Sequence, residues 1–89
     1  MHAVYVLRSK KDRNLYVGYS RDIKNRLAEH DAGRVPATKD RCPFSLIYCE
    51  LHSNQKDAMQ REIYLKSGWG RNYLKRTLKH TLGSGDSKI

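Results

Sequence analysis

Two short apolar runs of the same design open the chain. "AVYVL" (3–7) and "LYVGY" (15–19) are rich in β-branched and aromatic residues, which suits half-buried strands. The polar segment between them, "SKKDRN", has the length of a hairpin loop, so the pattern predicts an antiparallel pair. After Ser20, which offers an N-cap, the apolar spacing changes from strand-like to helical. A helix is predicted from Arg21 to Ala32, with Asp22 placing negative charge in its first turn and Gly33 as its stop. Its inward stripe is Ile23, Leu27 and the polar-tipped His30, at i, i+4 and i+7.

"GRVPATKDRCP" reads as a basic connection punctuated by Pro36 and Pro43, and "FSLIYCEL" as a third strand. Asn54 caps a second helix, with Asp57 three residues on as in a capping box. That helix carries Ala58, Met59, Ile63 and Leu65 and ends at Gly68. "WGRNYLKRTLKHTL" predicts a third, strongly basic helix with Tyr73, Leu74 and Leu78 facing in. The element order is β-β-α-β-α-α, the α+β class, in one domain over residues 1–80. Residues 81–89, with little to bury, are expected to form a disordered tail.

Composition narrows the function classes. A chain of 89 residues builds one modest core. Lys and Arg total 18 against 9 Asp and Glu, and the net charge of +9 implies attraction to polyanions, most often nucleic acid. Charge alone does not separate a DNA binder from an RNA binder or a ribosome-associated protein. No apolar run approaches the roughly 20 residues of a membrane helix, and "MHAVYVL" has no charged leader, so neither a membrane span nor a signal peptide is expected. Cys42 and Cys49 form no CxxC pair; they read as reduced thiols of a cytoplasmic protein, with a disulfide as the lesser alternative.

Polar residues interrupt two of the helical stripes. Glu62 shares a face with Ala58 and Leu65, and a carboxylate on an inward stripe must be paired, hydrogen-bonded or bound to a cation. Taken alone, its plainest role is an ion pair with Lys66 at i+4, worth about 0.3–0.5 kcal/mol. Taken alone, Arg26 is a solvated surface cation, His30 a satisfied half-buried histidine, and Tyr5 and Tyr16 cross-strand packing.

Their joint spacing reads differently. Ala3-Val4-Tyr5 and Tyr16-Val17-Gly18 resemble the paired triplets of the GIY-YIG nuclease superfamily. Arg26 falls where that family has its arginine, His30 follows one turn later, and Glu62 in "QREIYLKSGWGRNYLKR" matches its metal-binding glutamate. The similarity runs from about Ala3 to Leu78 and is greatest to small stand-alone bacterial members. Ala3 replaces the first glycine of the motif, and Asn72 is a loose match to an asparagine many members use.

The resemblance implies a three-stranded antiparallel sheet flanked by helices, and phosphodiester hydrolysis with one divalent metal, Mg²⁺ or Mn²⁺. In that scheme Glu62 holds the metal, Arg26 stabilises charge on the phosphate, and Tyr5, assisted by Tyr16 and His30, deprotonates the attacking water. A free tyrosine has a pKa near 10, so Tyr5 needs neighbouring cations to serve at neutral pH. Tyr19 and Lys24 are candidates for the same cleft, and Arg71, Asn72, Lys75, Arg76 and Lys79 for gripping phosphates. The expected substrate is DNA ahead of RNA, cut by shape or weak specificity or under a targeting protein partner, in repair, recombination or processing. A non-catalytic nucleic-acid-binding module on the same fold is the alternative.

Overall fold

The computed structural model describes residues 1–83; positions 84–89 of the expected tail lie outside the described residues. Strands β1 (His2–Ser9), β2 (Leu15–Ser20) and β3 (Phe44–His52) form one antiparallel sheet in the order β2-β1-β3. Helix α1 (Ile23–Asp31) lies between β2 and β3 in sequence, and α2 (Gln55–Lys66), α3 (Gly68–Thr77) and α4 (Lys79–Leu82) follow β3. The α+β class and the predicted order hold, with one added turn of helix at the end.

The hairpin closes on Ser9. Its buried hydroxyl accepts from the backbone N–H groups of Lys11 and Asp12 and donates to the Arg41 carbonyl, while Arg13 takes a positive φ of 63°. Helix α1 starts two residues later than the spacing predicts. Asp22 is its N-cap, accepting from the Asn25 N–H, and Ser20 accepts from the Asp22 N–H in a preceding turn. Gly33, at φ 72°, ends it as expected. Asn54 caps α2 through the Lys56 and Asp57 N–H groups.

The long third helix is split at Leu78, where φ −106° and ψ 31° break the α conformation. Leu82 of α4 is buried, so the core reaches two residues past the expected end of the domain. Gly70 marks a close approach of α3 to α2: a Cβ there would overlap the Tyr64 carbonyl oxygen and the Leu65 Cα.

Strand alternation divides the core between the two sheet faces. Val4 and Val6 pack with Ala58, Leu65, Leu74, Leu78 and Leu82 from the later helices. Tyr5, Leu7 and Phe44 pack on the other face with Tyr16 of β2 and Ile23 and Leu27 of α1. Met59 and Ile63 of α2 are 45% and 70% exposed. The buried side of α2 is a narrow strip through Ala58 and Leu65 that leaves both outside it. Among the described residues no helix is long and apolar enough to cross a membrane.

Candidate active site

Tyr5 lies in mid-β1, 1% exposed, opposite Gly18 of β2. Its ring lies over Gly18, where any Cβ would collide with the phenolic end of Tyr5. Tyr16 stands opposite Leu7 on the same sheet face, its ring centroid 6.4 Å from that of Tyr5. The hairpin register therefore brings the two tyrosines together, as the paired triplets predict.

The Tyr5 hydroxyl lies 2.8 Å from Nε2 of His30, which is fully buried. His30 Nδ1 is 2.8 Å from the Thr38 hydroxyl, which in turn donates to the Val35 carbonyl at 3.5 Å. The Thr38–Val35 contact, though long, favours one order of protons along this chain. A Thr38 hydroxyl that gives its hydrogen to a carbonyl accepts from His30 Nδ1–H, which leaves the Nε2 lone pair to receive the Tyr5 hydroxyl. The imidazole is fixed edge-on against Tyr5, Tyr16 and Phe44 at centroid distances of 5.7, 5.2 and 6.0 Å.

Burial pushes the Tyr5 phenol up to about 12; the polar approach of the Arg26 guanidinium opposes this without overcoming it, and Tyr16 and Glu62 reinforce it. Among the chain's own groups desolvation outweighs Arg26, so this cation by itself does not lower Tyr5 as expected. Burial, then the charge of Arg26, holds His30 below its ordinary value, so it is a neutral acceptor at pH 7. Arg26 is one turn before His30 on α1 and pairs loosely with Glu29 at 3.4 Å.

Glu62 makes the ion pair that its spacing foretells, 3.1 Å from Lys66 Nζ. The lysine side chain is 54% exposed and the glutamate 20%, so this pair is weak and readily exchanged. The Glu62 charge also acts on the Tyr5 phenol. Among the described residues no three His, Cys, Asp or Glu side chains gather as a metal-binding group. A cleft of about 650 Å³ opens beside Tyr16, between the hairpin and the α2–α3 junction, with Arg41, Lys66 and Arg71 on its walls.

The other predicted contacts divide. Arg71 lines the cleft, whereas Asn72, Lys75 and Arg76 are exposed along α3 and not on its walls. Lys24 is exposed on α1 two residues from Arg26, a spacing that turns it away from that side chain. Tyr19 does not join the site. It lies on the opposite sheet face, 2.7 Å from His2 Nδ1 and stacked on that ring at 5.9 Å. Three residues from Tyr16 is an odd offset on a strand, which reverses the face. Thr38 carried no sequence signal, lying in a connection without periodicity.

Comparison with known proteins places the chain in a family. The model of the GIY-YIG catalytic domain matches residues 1–83, and the chain belongs to that family. Among its relatives are UPF0213 proteins. That of Staphylococcus haemolyticus is 40% identical over 67 residues, covering 74% of this chain and 80% of the relative. That of Natronomonas pharaonis is 45% identical over 67 residues, covering 74% and 78%. The solution NMR structure of a UPF0213 protein from Bacillus halodurans superposes with a TM-score of 0.55 at 30% identity, covering 85% of this chain and 83% of that one.

Proposed function

We propose that the protein is an endonuclease that hydrolyses phosphodiester bonds of DNA with one divalent metal, Mg²⁺ or Mn²⁺, held by Glu62. The observation that carries this reading is the buried Tyr5–His30–Thr38 chain, whose phenolic end is acted on by both Arg26 and Glu62. The donor set fits such an ion. One hard carboxylate is enough for Mg²⁺, which keeps several waters and takes phosphate oxygens as further ligands, and it is too few for a structural zinc. When bound, the metal supplies Lewis acidity to the phosphate and the leaving oxygen.

The chain's own residues move the proton and hold the substrate. With its pKa at about 12, Tyr5 is not ionised at neutral pH, so it works as a conductor. The attacking water gives a proton to the Tyr5 oxygen while the phenolic hydrogen passes to His30 Nε2, and the resulting imidazolium keeps its Nδ1–H on Thr38. Arg26 presents a fork of N–H donors to the phosphate as negative charge builds on it. Lys66 and Arg71 bind flanking phosphates, contacts that position a strand without reading its sequence, so substrates are sorted by shape or by a targeting partner. The alternative is a binding module that does not cut, in which Glu62 serves only as the ion-pair partner of Lys66.

The test is to incubate the protein with labelled plasmid, linear, branched and single-stranded DNA, with Mg²⁺ or Mn²⁺ and with EDTA. Glu62→Ala and Arg26→Ala serve as controls for a contaminating nuclease. Metal-dependent cutting abolished by both substitutions is the expected result. Salt-sensitive binding without cutting under any condition would establish the binding module instead.

A further inference from the structure

Trp69, the protein's one tryptophan, is the second residue of α3 and is 78% exposed. Its neighbours in sequence, Lys66 and Arg71, line the cleft that reaches Tyr16. Helical spacing puts Asn72 and Arg76, both exposed, on the same side of α3 as the indole. On α2 the exposed Met59 and Ile63, one turn apart, run beside the Glu62–Lys66 pair, so apolar surface borders the proposed metal ligand too. An indole left in water on a basic helix contributes little to the core. It suits a ligand with flat apolar faces and a negative backbone.

We infer that Trp69 is a stacking platform for an unpaired base, so that the substrate carries a single-stranded stretch running from the cleft across α3. The inference rests on the nuclease reading and names its substrate class. Every base offers a π face, so such stacking tolerates any sequence, while the cations of the cleft wall, Lys66 and Arg71, track the phosphates. The bases of a blunt duplex are already stacked on one another and leave the indole without a partner. Charge argues against a second copy as the occupant: each chain carries +9, and Lys66, Arg71 and Arg76 would meet their like.

A single tryptophan makes the test direct. In EDTA, which prevents cutting, the protein is titrated with a single-stranded DNA oligonucleotide, the same strand as RNA, and the blunt DNA duplex. Tryptophan emission and the anisotropy of a labelled strand are followed together. Quenching of emission on binding the single strand is expected, in DNA or RNA. Trp69→Ala should weaken single-strand binding by about tenfold or more and leave duplex binding within about twofold, and Trp69→Phe should retain most of the affinity. Emission unchanged with the strand fully bound, or equal losses for strand and duplex, would overturn the inference. So would self-association that Trp69→Ala abolishes. The two readings fail separately: cutting in Mg²⁺ without quenching removes the platform and keeps the nuclease, and quenching without cutting does the reverse.

Discussion

On the α2–α3 face of the sheet, Glu50 accepts from two Arg61 nitrogens at 2.9 Å, from the Tyr48 hydroxyl at 2.5 Å and from His52 at 3.1 Å. Arg61 also lies over the Tyr64 and Tyr73 rings, 5.0 and 4.5 Å from their centroids. On the α1 face, Tyr5, His30 and Thr38 form a single neutral chain buried to 1% or less. Both assemblies are built from tyrosine, histidine and a strand, yet the first is closed and the second is open. Burial works against the Glu50 carboxylate, but its hydrogen bonds from Arg61, Tyr48 and His52 hold it below the usual carboxylate range. Glu50 and Arg61 cancel in charge, and the Tyr48–Tyr73 contact joins the group to α3, which ties β3 to α2 and α3. The open chain ends on a phenol acted on by Arg26 and Glu62, and a hydroxyl in that position can still exchange its proton.

The contrast predicts different phenotypes. Tyr5→Phe removes the conducting oxygen and should lower the cleavage rate by about 10²–10⁴-fold. It also leaves the buried His30 Nε2 without a donor, at roughly 1–3 kcal/mol of stability. Arg61→Met should lower stability while sparing the rate. It leaves the Glu50 carboxylate, 18% exposed, without its bidentate partner and should cost roughly 1–3 kcal/mol, with cleavage within about twofold below the melting transition. Thermal melts and initial rates on the same preparations check both. Loss of cleavage in folded Arg61→Met would erase the distinction between the networks.

Gly18→Ala sharpens the comparison at the backbone. The added methyl would strike the phenolic end of Tyr5 and push its ring away from its place over Gly18. Overpacking of this kind costs about 1–3 kcal/mol, and displacing a proton conductor should slow cleavage by roughly 10²-fold. A variant that melts lower but cuts normally would show that the position of Tyr5 is not critical.

Much of this architecture was legible because it rests on periodicity. Alternation in β1 and β2, the cap at Asn54 and the stop at Gly33 are local signals, and Tyr5, Tyr16, Arg26, His30 and Glu62 each sit on a regular element. Tyr19 was expected in the cleft, although strand period two assigns it to the far face, where it packs on His2. Thr38 was not legible. It reaches His30 from a connection between α1 and β3, where Val35 and Thr38 are buried among exposed neighbours without a repeating pattern. The break at Leu78 and the exposure of Met59 and Ile63 depend on how α2 and α3 pack, which helical spacing alone does not determine.

The smallest predicted effect isolates the end of the open chain. His30 conducts only while Nε2 is unprotonated, and burial followed by Arg26 keeps its pKa below 6.5. The cleavage rate should therefore rise about tenfold per pH unit in acid and level off before neutrality. A mechanism needing the free Tyr5 phenolate would instead keep climbing toward about 12. The same depression has a thermodynamic sign. In the unfolded chain His30 takes up a proton near 6.5 while the folded chain resists it, so stability should fall as pH drops below that value. Thr38→Val keeps the shape but removes the acceptor of His30 Nδ1–H, leaving a buried donor unpaired at about 1–3 kcal/mol. Cleavage should fall roughly tenfold. The imidazolium also loses its partner, so the acid limb should move to lower pH. Thr38→Ser, which restores the hydroxyl, should return both the rate and the position of that limb. If serine fails to shift the limb back, Thr38 serves packing alone, and the proton stops at His30 without its support.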